Sequence, residues 1–138
     1  MSGWTLDSNV ASHVIRGHRR EVIERLTTLP ISDVVISSIT EGELLHGLAK
    51  RSDLTALSDR VREFLLRVDV LPWDHDVTKT HTDLRAACEA KGVTLAPLDM
   101  MIAAHAVATD ATLVTRDKTF GREPHPLRIE DWRSDLKT

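Results

Sequence analysis

Four acidic residues fall where a chain can gather carboxylates for chemistry rather than scatter them over a surface. Asp7 follows directly on Trp4-Thr5-Leu6, and Asp117 follows shortly after Thr112-Leu113-Val114-Thr115. Asp99 stands two residues after Pro97, at the start of an apolar, alanine-rich run, and Glu43 or its neighbour Glu41 stands near the start of another such segment. A carboxylate in the first turn of a helix is stabilised by the helix dipole, so each acid taken singly reads as a cap or a surface charge. Four at element ends form a different pattern. Like charges converging in one cleft repel unless a cation sits among them, and oxygen-only ligands suit Mg2+ or Mn2+. The chemistry open to such a set is metal-assisted hydrolysis, in which the ion lowers the pKa of a water and stabilises developing charge.

The elements needed to position these acids can be read from the periodicity. Trp4 to Leu6 is a short strand. Ser8 and Asn9 are expected N-caps for a helix running to Arg16 and ended by Gly17. Residues 19–29 place Val22, Ile23 and Leu26 at helical spacing, and Pro30 stops that run. Val34-Val35-Ile36 is β-branched throughout and reads as a buried parallel strand. Ser38 and Glu41 have capping-box spacing at the head of a helix to Arg51. A further helix is expected over 53–67, with Leu54, Leu57, Val61, Phe64 and Leu65 on a 3.6-residue period. Residues 68–72 read as an extended link. Helices follow from His75 to Lys91, closed by Gly92, and from Pro97 to about Thr109. Thr112–Thr115 is a strand, and residues 127–129 are a candidate last one. Strands alternating with helices predict an α/β fold, a three-layer α/β/α sandwich on a mostly parallel sheet. In such sheets ligands bind beyond the carboxyl ends of the strands, where Asp7 and Asp117 fall.

The chain has 138 residues, enough for one domain with a single buried core. No apolar run approaches the roughly 18–20 residues of a membrane span, and the N-terminal stretch lacks the pattern of a secretory signal. Cys88 is the only cysteine, which excludes an internal disulfide and a cysteine-based zinc site. A reducing cytoplasm is the expected compartment. The formal net charge of −3 argues at face value against nucleic-acid binding by bulk positive charge. Were four of the 21 acids to serve as metal ligands, the 18 bases would exceed the remainder by one. Global charge therefore does not decide the question.

The segments TLDSN (5–9), SSITEGELLHG (37–47), PLDMMIAAHA (97–106) and TLVTRDKTF (112–120) together resemble the PIN-domain nucleases, and within them the VapC toxins of bacterial toxin–antitoxin pairs. The resemblance runs from residue 4 to Trp132, and PLDMMIAAHA is its most specific part. It implies a single PIN domain over 1–138 that acts as an Mg2+- or Mn2+-dependent endoribonuclease. The acids matching the family's site, as catalytic residues and metal ligands, are Asp7, Glu43, Asp99 and Asp117. Ser8 stands where the family more often has Thr, which keeps the hydroxyl, and the fourth acid varies within the family. A helical wheel alone puts Glu41 toward the protein body with Leu44, Leu45 and Leu48. The resemblance instead aligns Glu43 and leaves Glu41 a capping role. The family further implies a cognate VapB-type antitoxin, a homodimer, and contact with DNA only through the antitoxin. The implied substrate is structured RNA, often tRNA near its anticodon, with initiator tRNA suggested by the closeness over 68–132.

Two other readings of the same residues stand beside this one. A haloacid-dehalogenase-like phosphatase also places an Asp after a strand, but it usually wants a second Asp two residues on, where this chain has Asn9. A degenerate, non-catalytic PIN module would act only by binding. No zinc-protease, P-loop or dinucleotide-binding motif is present. Ser8 and Thr115 are expected to orient carboxylates, as hydroxyls behind metal ligands do. Arg116, Lys118 and Arg122 are expected near the cleft, whereas Arg16, His18, Arg19 and Arg20 read equally well as a solvated cluster. His105, Trp73 and Trp132 are expected to pack, the alanines of 103–108 to allow close helix approach, and Cys88 to lie half-buried.

Overall fold

A computed structural model of the chain describes residues 3–18, 20–50, 55–122 and 127–132. Five strands form one parallel sheet: β1 (Trp4–Leu6), β2 (Val34–Ser37), β3 (Asp69–Leu71), β4 (Thr112–Val114) and β5 (Ile129–Glu130), in the order β3-β2-β1-β4-β5. The helices between them are α1 (Ser8–Arg16), α2 (Arg20–Thr27), α3 (Ser38–Ala49), α4 (Thr55–Arg67), α5 (His75–Lys91) and α6 (Pro97–Ala108). From β1 the strand order runs outward both ways, to β2 and β3 on one side and to β4 and β5 on the other. The crevice between β1 and β4 is therefore the point where an open α/β sheet receives ligands. The α/β sandwich expected from the alternation of elements is present.

Each face of the sheet has its own core. Leu6, Val34, Ile36 and Val114 face one way and pack with Val10 and Ile15 of α1, Val22 of α2 and Val61 of α4. Leu113, one residue from Val114, faces the other way among Leu84, Ile102, Ala103 and Phe120. This is the period of two that a strand imposes. Ala103, Ala104 and Ala106 are buried, and α6 packs closely along α5. On the first face Trp132 meets Trp4 edge-on at 6.4 Å, with the Arg25 guanidinium 5.5 Å from its ring centre.

Several local expectations shift. Asp7, not Ser8 or Asn9, caps α1: its Oδ1 accepts from the Val10 amide at 2.8 Å. Ser37, not Ser38, caps α3, its Oγ accepting from the Ile39 amide at 3.0 Å. Strand and helix therefore adjoin with no linker, and the Ser38–Glu41 capping box is out of register. The expected link at 68–72 contains a true strand, because Asp69 to Leu71 pair with Val35 to Ser37 of β2. Cys88 is fully rather than half buried, since its helix face lies against α6. Arg19, the expected helix boundary at 51–53 with Leu54, and the last residues of the expected 1–138 domain lie outside the described residues.

Gly3 sits where the chain enters β1, with its carbonyl accepting from Thr112 N at 2.8 Å. A Cβ on Gly3 would stand 2.5 Å from the Asp33 carbonyl oxygen, a contact only a backbone shift relieves. Gly3→Ala is expected to destabilise the fold by roughly 1–3 kcal/mol, the usual cost of overpacking. Urea unfolding followed by circular dichroism measures this, and unchanged stability would show that the β1 entry yields without cost.

Candidate active site

The parallel pairing of β1 with β4 brings two of the four acids together. Leu6 is in register with Val114, and the Asp7 amide extends the ladder by donating to the Val114 carbonyl at 3.1 Å. That bond sets Asp7 beside Thr115. The Thr115 hydroxyl donates to Asp7 Oδ2, and its Oγ1 accepts from the Asp117 amide at 3.0 Å. One side chain thus fixes the orientation of Asp7 and the backbone of Asp117. The Asp7 residue is only 5% exposed.

Asp99 lies in the first turn of α6 and is half-buried, as Pro97 at the helix start and the dipole favour. Glu43 projects from α3 toward α1, where the Ser8 hydroxyl donates to its Oε1 at 2.5 Å. The wheel argument for Glu41 assumed one covered face. In fact α3 is packed between α1 and α4 on one side and α6 on another, while Leu45, assigned to the inner face, is 45% exposed.

The electrostatics show which acids feel one another. Burial pushes the Asp7 carboxyl above its usual range. The Thr115 hydroxyl and Val10 amide pull it partly back, and the charges on Asp99 and Asp117 push it up again. Asp99 is also raised, by burial first, then by Asp117 and Glu43. Asp117 is lowered, because the Thr119 amide and hydroxyl donate to its Oδ1 at 2.9 and 2.7 Å and Arg122 lies near. All four acids are thus linked through Asp99, while Lys118 and Arg122 occupy the turn that follows Asp117. Among the described residues no three His, Cys, Asp or Glu side chains are already drawn together as a cage for an ion. The donor set is nonetheless of the kind a hard cation takes: carboxylate oxygens only, mutually repelling, with one member buried and oriented. The residues present therefore fit Mg2+ or Mn2+.

A cleft of about 200 Å3 opens beside Glu43, lined also by Ser8, Arg16, Leu48, Leu57 and Val61. It gives Arg16, from the cluster that read equally well as solvated surface, a place next to Glu43. Sequence reasoning did not foresee this cleft, because its walls come from three helices whose mutual packing is not periodic in the chain.

Comparison with known proteins bears on the family and the fold. The PIN domain pattern matches residues 5–125. The chain is 34% identical over 133 residues to the tRNA(fMet)-specific endonuclease VapC of Salmonella typhimurium, covering 96% of this chain and 99% of that protein. It is 32% identical over 131 residues to Ribonuclease VapC2 of Rickettsia felis, covering 94% and 97%. Among solved structures it superposes on DNA-bound VapBC from Salmonella typhimurium with a TM-score of 0.88 at 33% identity, covering 96% of this chain and 99% of that one. The VapBC2 structure from Rickettsia felis, bound to a promoter DNA fragment, gives 0.84 at 30% identity, covering 92% and 96%. An open parallel sheet with acids at its switch point defines the class, and the chain belongs to the PIN-domain family. Within that family its relatives are the VapC ribonucleases.

The shifts of Asp99 and Asp117 have opposite consequences for stability. The native fold holds the Asp99 proton more tightly than the unfolded chain does, so stability falls as pH rises through 3.8 toward the raised native value. For Asp117 the stability is present above 3.8 and is lost as pH falls through the lowered native value. In EDTA at pH 7, Asp99→Asn should melt above wild type by a few degrees, the response expected to roughly 1 kcal/mol. Asp117→Ala, which removes the acceptor for Thr119, should melt below it. Scanning calorimetry checks both, and a lower melting point for Asp99→Asn would contradict the repulsion.

Proposed function

We propose that this chain is a Mg2+- or Mn2+-dependent endoribonuclease toxin, held inactive by a VapB-type antitoxin. The observation that carries the reading is the buried Asp7, oriented by Thr115 and electrostatically coupled to Asp99 and Asp117 at the β1–β4 crevice. Asp7, Glu43, Asp99 and Asp117 would hold the metal, which supplies the Lewis acidity for attack on a phosphodiester. The chain's own groups prepare that site. The Thr115 hydroxyl engages Asp7 Oδ2 and the Val10 amide engages Oδ1. Ser8 steadies Glu43, and Thr119 holds Asp117 in its charged form. Lys118 and Arg122 supply positive charge for RNA phosphates beside the acids. The relatives named as specific for tRNA(fMet) support a tRNA of the initiator type as the substrate, and the family resemblance implies a cut near the anticodon.

The solved relatives titled as VapBC complexes support an antitoxin partner, with DNA reached through that partner. A basic side chain from it would be drawn to the acids by a charge-assisted bond, and the apolar wall of the neighbouring cleft would take an apolar anchor. We place the toxin, as a homodimer, in the cytoplasm. Among the described residues no helix is long and apolar enough to cross a membrane.

Incubation of purified protein with total RNA and Mg2+ or Mn2+, followed by mapping of ends, tests the activity. Cleavage should leave 5′-phosphate and 3′-hydroxyl ends and stop in EDTA. Persistence in EDTA, or 2′,3′-cyclic phosphate ends, would refute the metal-assisted route. Thr115→Val should lower the rate by roughly 10–100-fold, the usual cost of losing a group that orients a ligand, and Asp7→Asn by more. Co-expression with the product of the adjoining reading frame should yield a copurifying complex without activity. A protein that binds this partner but cuts no RNA under any metal would instead be the degenerate binding module.

A further inference from the structure

A buried titratable side chain that the proposed chemistry does not use is His105, 2% exposed on α6. Its Nδ1 lies 2.6 Å from the Ser37 hydroxyl, 68 residues away in the chain. That same Ser37 Oγ caps α3 by accepting from the Ile39 amide. Ser37 Oγ thus serves two bonds at once, the one from Ile39 and the one shared with Nδ1, whose direction follows the ring tautomer. Nε2 meets no partner at hydrogen-bonding geometry among the described residues. Burial holds the ring's pKa below the ordinary range, against weaker opposite pulls from Asp74 and the Pro72 backbone. Its position is set by edge-on contact with Trp73 at 5.7 Å, and Trp73 is itself held by His81 at 5.5 Å and by donation from Nε1 to Thr78 at 2.8 Å.

Ser37 is the residue from which α3 departs, and α3 carries Glu43 six positions on. His105 lies six positions after Asp99 on α6, roughly 9 Å along the helix axis. The bond between Ser37 and His105 therefore joins the start of one acid-bearing helix to the last turn of the other. We propose that His105 is a positioning residue: through Ser37 it sets α3 against α6 and so fixes Glu43 relative to Asp99. This inference rests on the proposed metal-dependent nuclease reading, and it concerns residues that touch neither metal nor RNA.

The test uses the whole chain with four variants: Ser37→Ala, His105→Leu, their combination, and His105→Asn. Asn can place its amide oxygen or nitrogen near the position of Nδ1, so it keeps a hydrogen-bond partner for Ser37, whereas Leu fills similar space without one. Two readouts are taken. The first is amide exchange at Ile39 in EDTA, measured by NMR. The second is Mn2+ affinity, measured by calorimetry. Ser37→Ala and His105→Leu are each expected to speed exchange at Ile39 and to weaken Mn2+ binding roughly tenfold. The double variant should be no worse than either single one, as groups acting through one bond require, and His105→Asn should recover most of the Mn2+ affinity. Should His105→Leu not fold, Ser37→Ala and His105→Asn still carry the comparison. Wild-type affinity in Ser37→Ala, or a His105→Asn protein that folds but binds Mn2+ tenfold more weakly, would overturn the positioning role. A wild-type protein that neither binds Mn2+ nor cuts RNA would instead overturn the nuclease reading beneath it, an outcome visible before any variant is made.

Discussion

Burial of the Asp7 carboxylate is the constraint around which this structure is arranged. A charge taken out of water is costly unless its oxygens are hydrogen-bonded. Here the donors come from both ends of the fold's sequence: the Val10 amide at the head of α1 and the Thr115 hydroxyl at the end of β4. The first is supplied automatically, because a helix beginning directly after β1 presents unpaired amides to the residue before it. The second exists only if β1 and β4 pair as neighbours in one register. A slip by one residue would turn Thr115 away and put Asp117 in a different place. Local capping and long-range sheet pairing are thereby required by the same carboxylate.

The two cores explain why that register is secure. Leu6 and Val114 are paired across β1 and β4 and both belong to the core beneath α1, while Leu113 belongs to the core beneath α6. Any slip would exchange an apolar side chain with Thr5, Thr112 or Thr115. Those three threonines are buried, but the hydroxyl of at least Thr115 has a partner only in the native register. Hydrophobic alternation sets the strands and the threonine reads out the setting. The site is held by the same forces as the sheet, and needs no separate scaffold.

Much of this was legible in the chain, for reasons that also mark the limits. Strong periodic or β-branched segments such as 34–36, 75–91 and 97–109 announced their elements, and the acids at their ends announced a crevice. Asp69 to Leu71 did not read as a strand, because an edge strand with Asp69 exposed lacks the uniform apolar character of a central one. The caps on Asp7 and Ser37 were each assigned one or two residues late. Both residues end strands as well as begin helices, a double role that pattern rules treat as two residues. Glu43 could not be separated from Glu41 by helical geometry, since α3 is covered on more than one side and has no single inner face. The Ser8 contact, 35 residues away in the chain, the charge felt by Asp99 and the place in the cleft wall distinguish Glu43 in space.

The uneven charge states of the acids follow from the same architecture and bear on how an ion would be received. Asp7 and Asp99 are raised chiefly by burial, whereas Asp117 is lowered by the two Thr119 donors and, with them, by the nearby Arg122. Without a cation, repulsion among the acids is relieved at Asp99, the half-buried member whose carboxylate has no hydrogen-bond donor among the described residues. Binding a divalent ion removes that repulsion, so part of the binding free energy is strain already present in the fold. The same strain would be relieved by a basic side chain placed among the acids. Under the proposed reading a divalent ion and a partner's basic side chain would be drawn to the same carboxylates, so the two would compete through the charge arrangement itself.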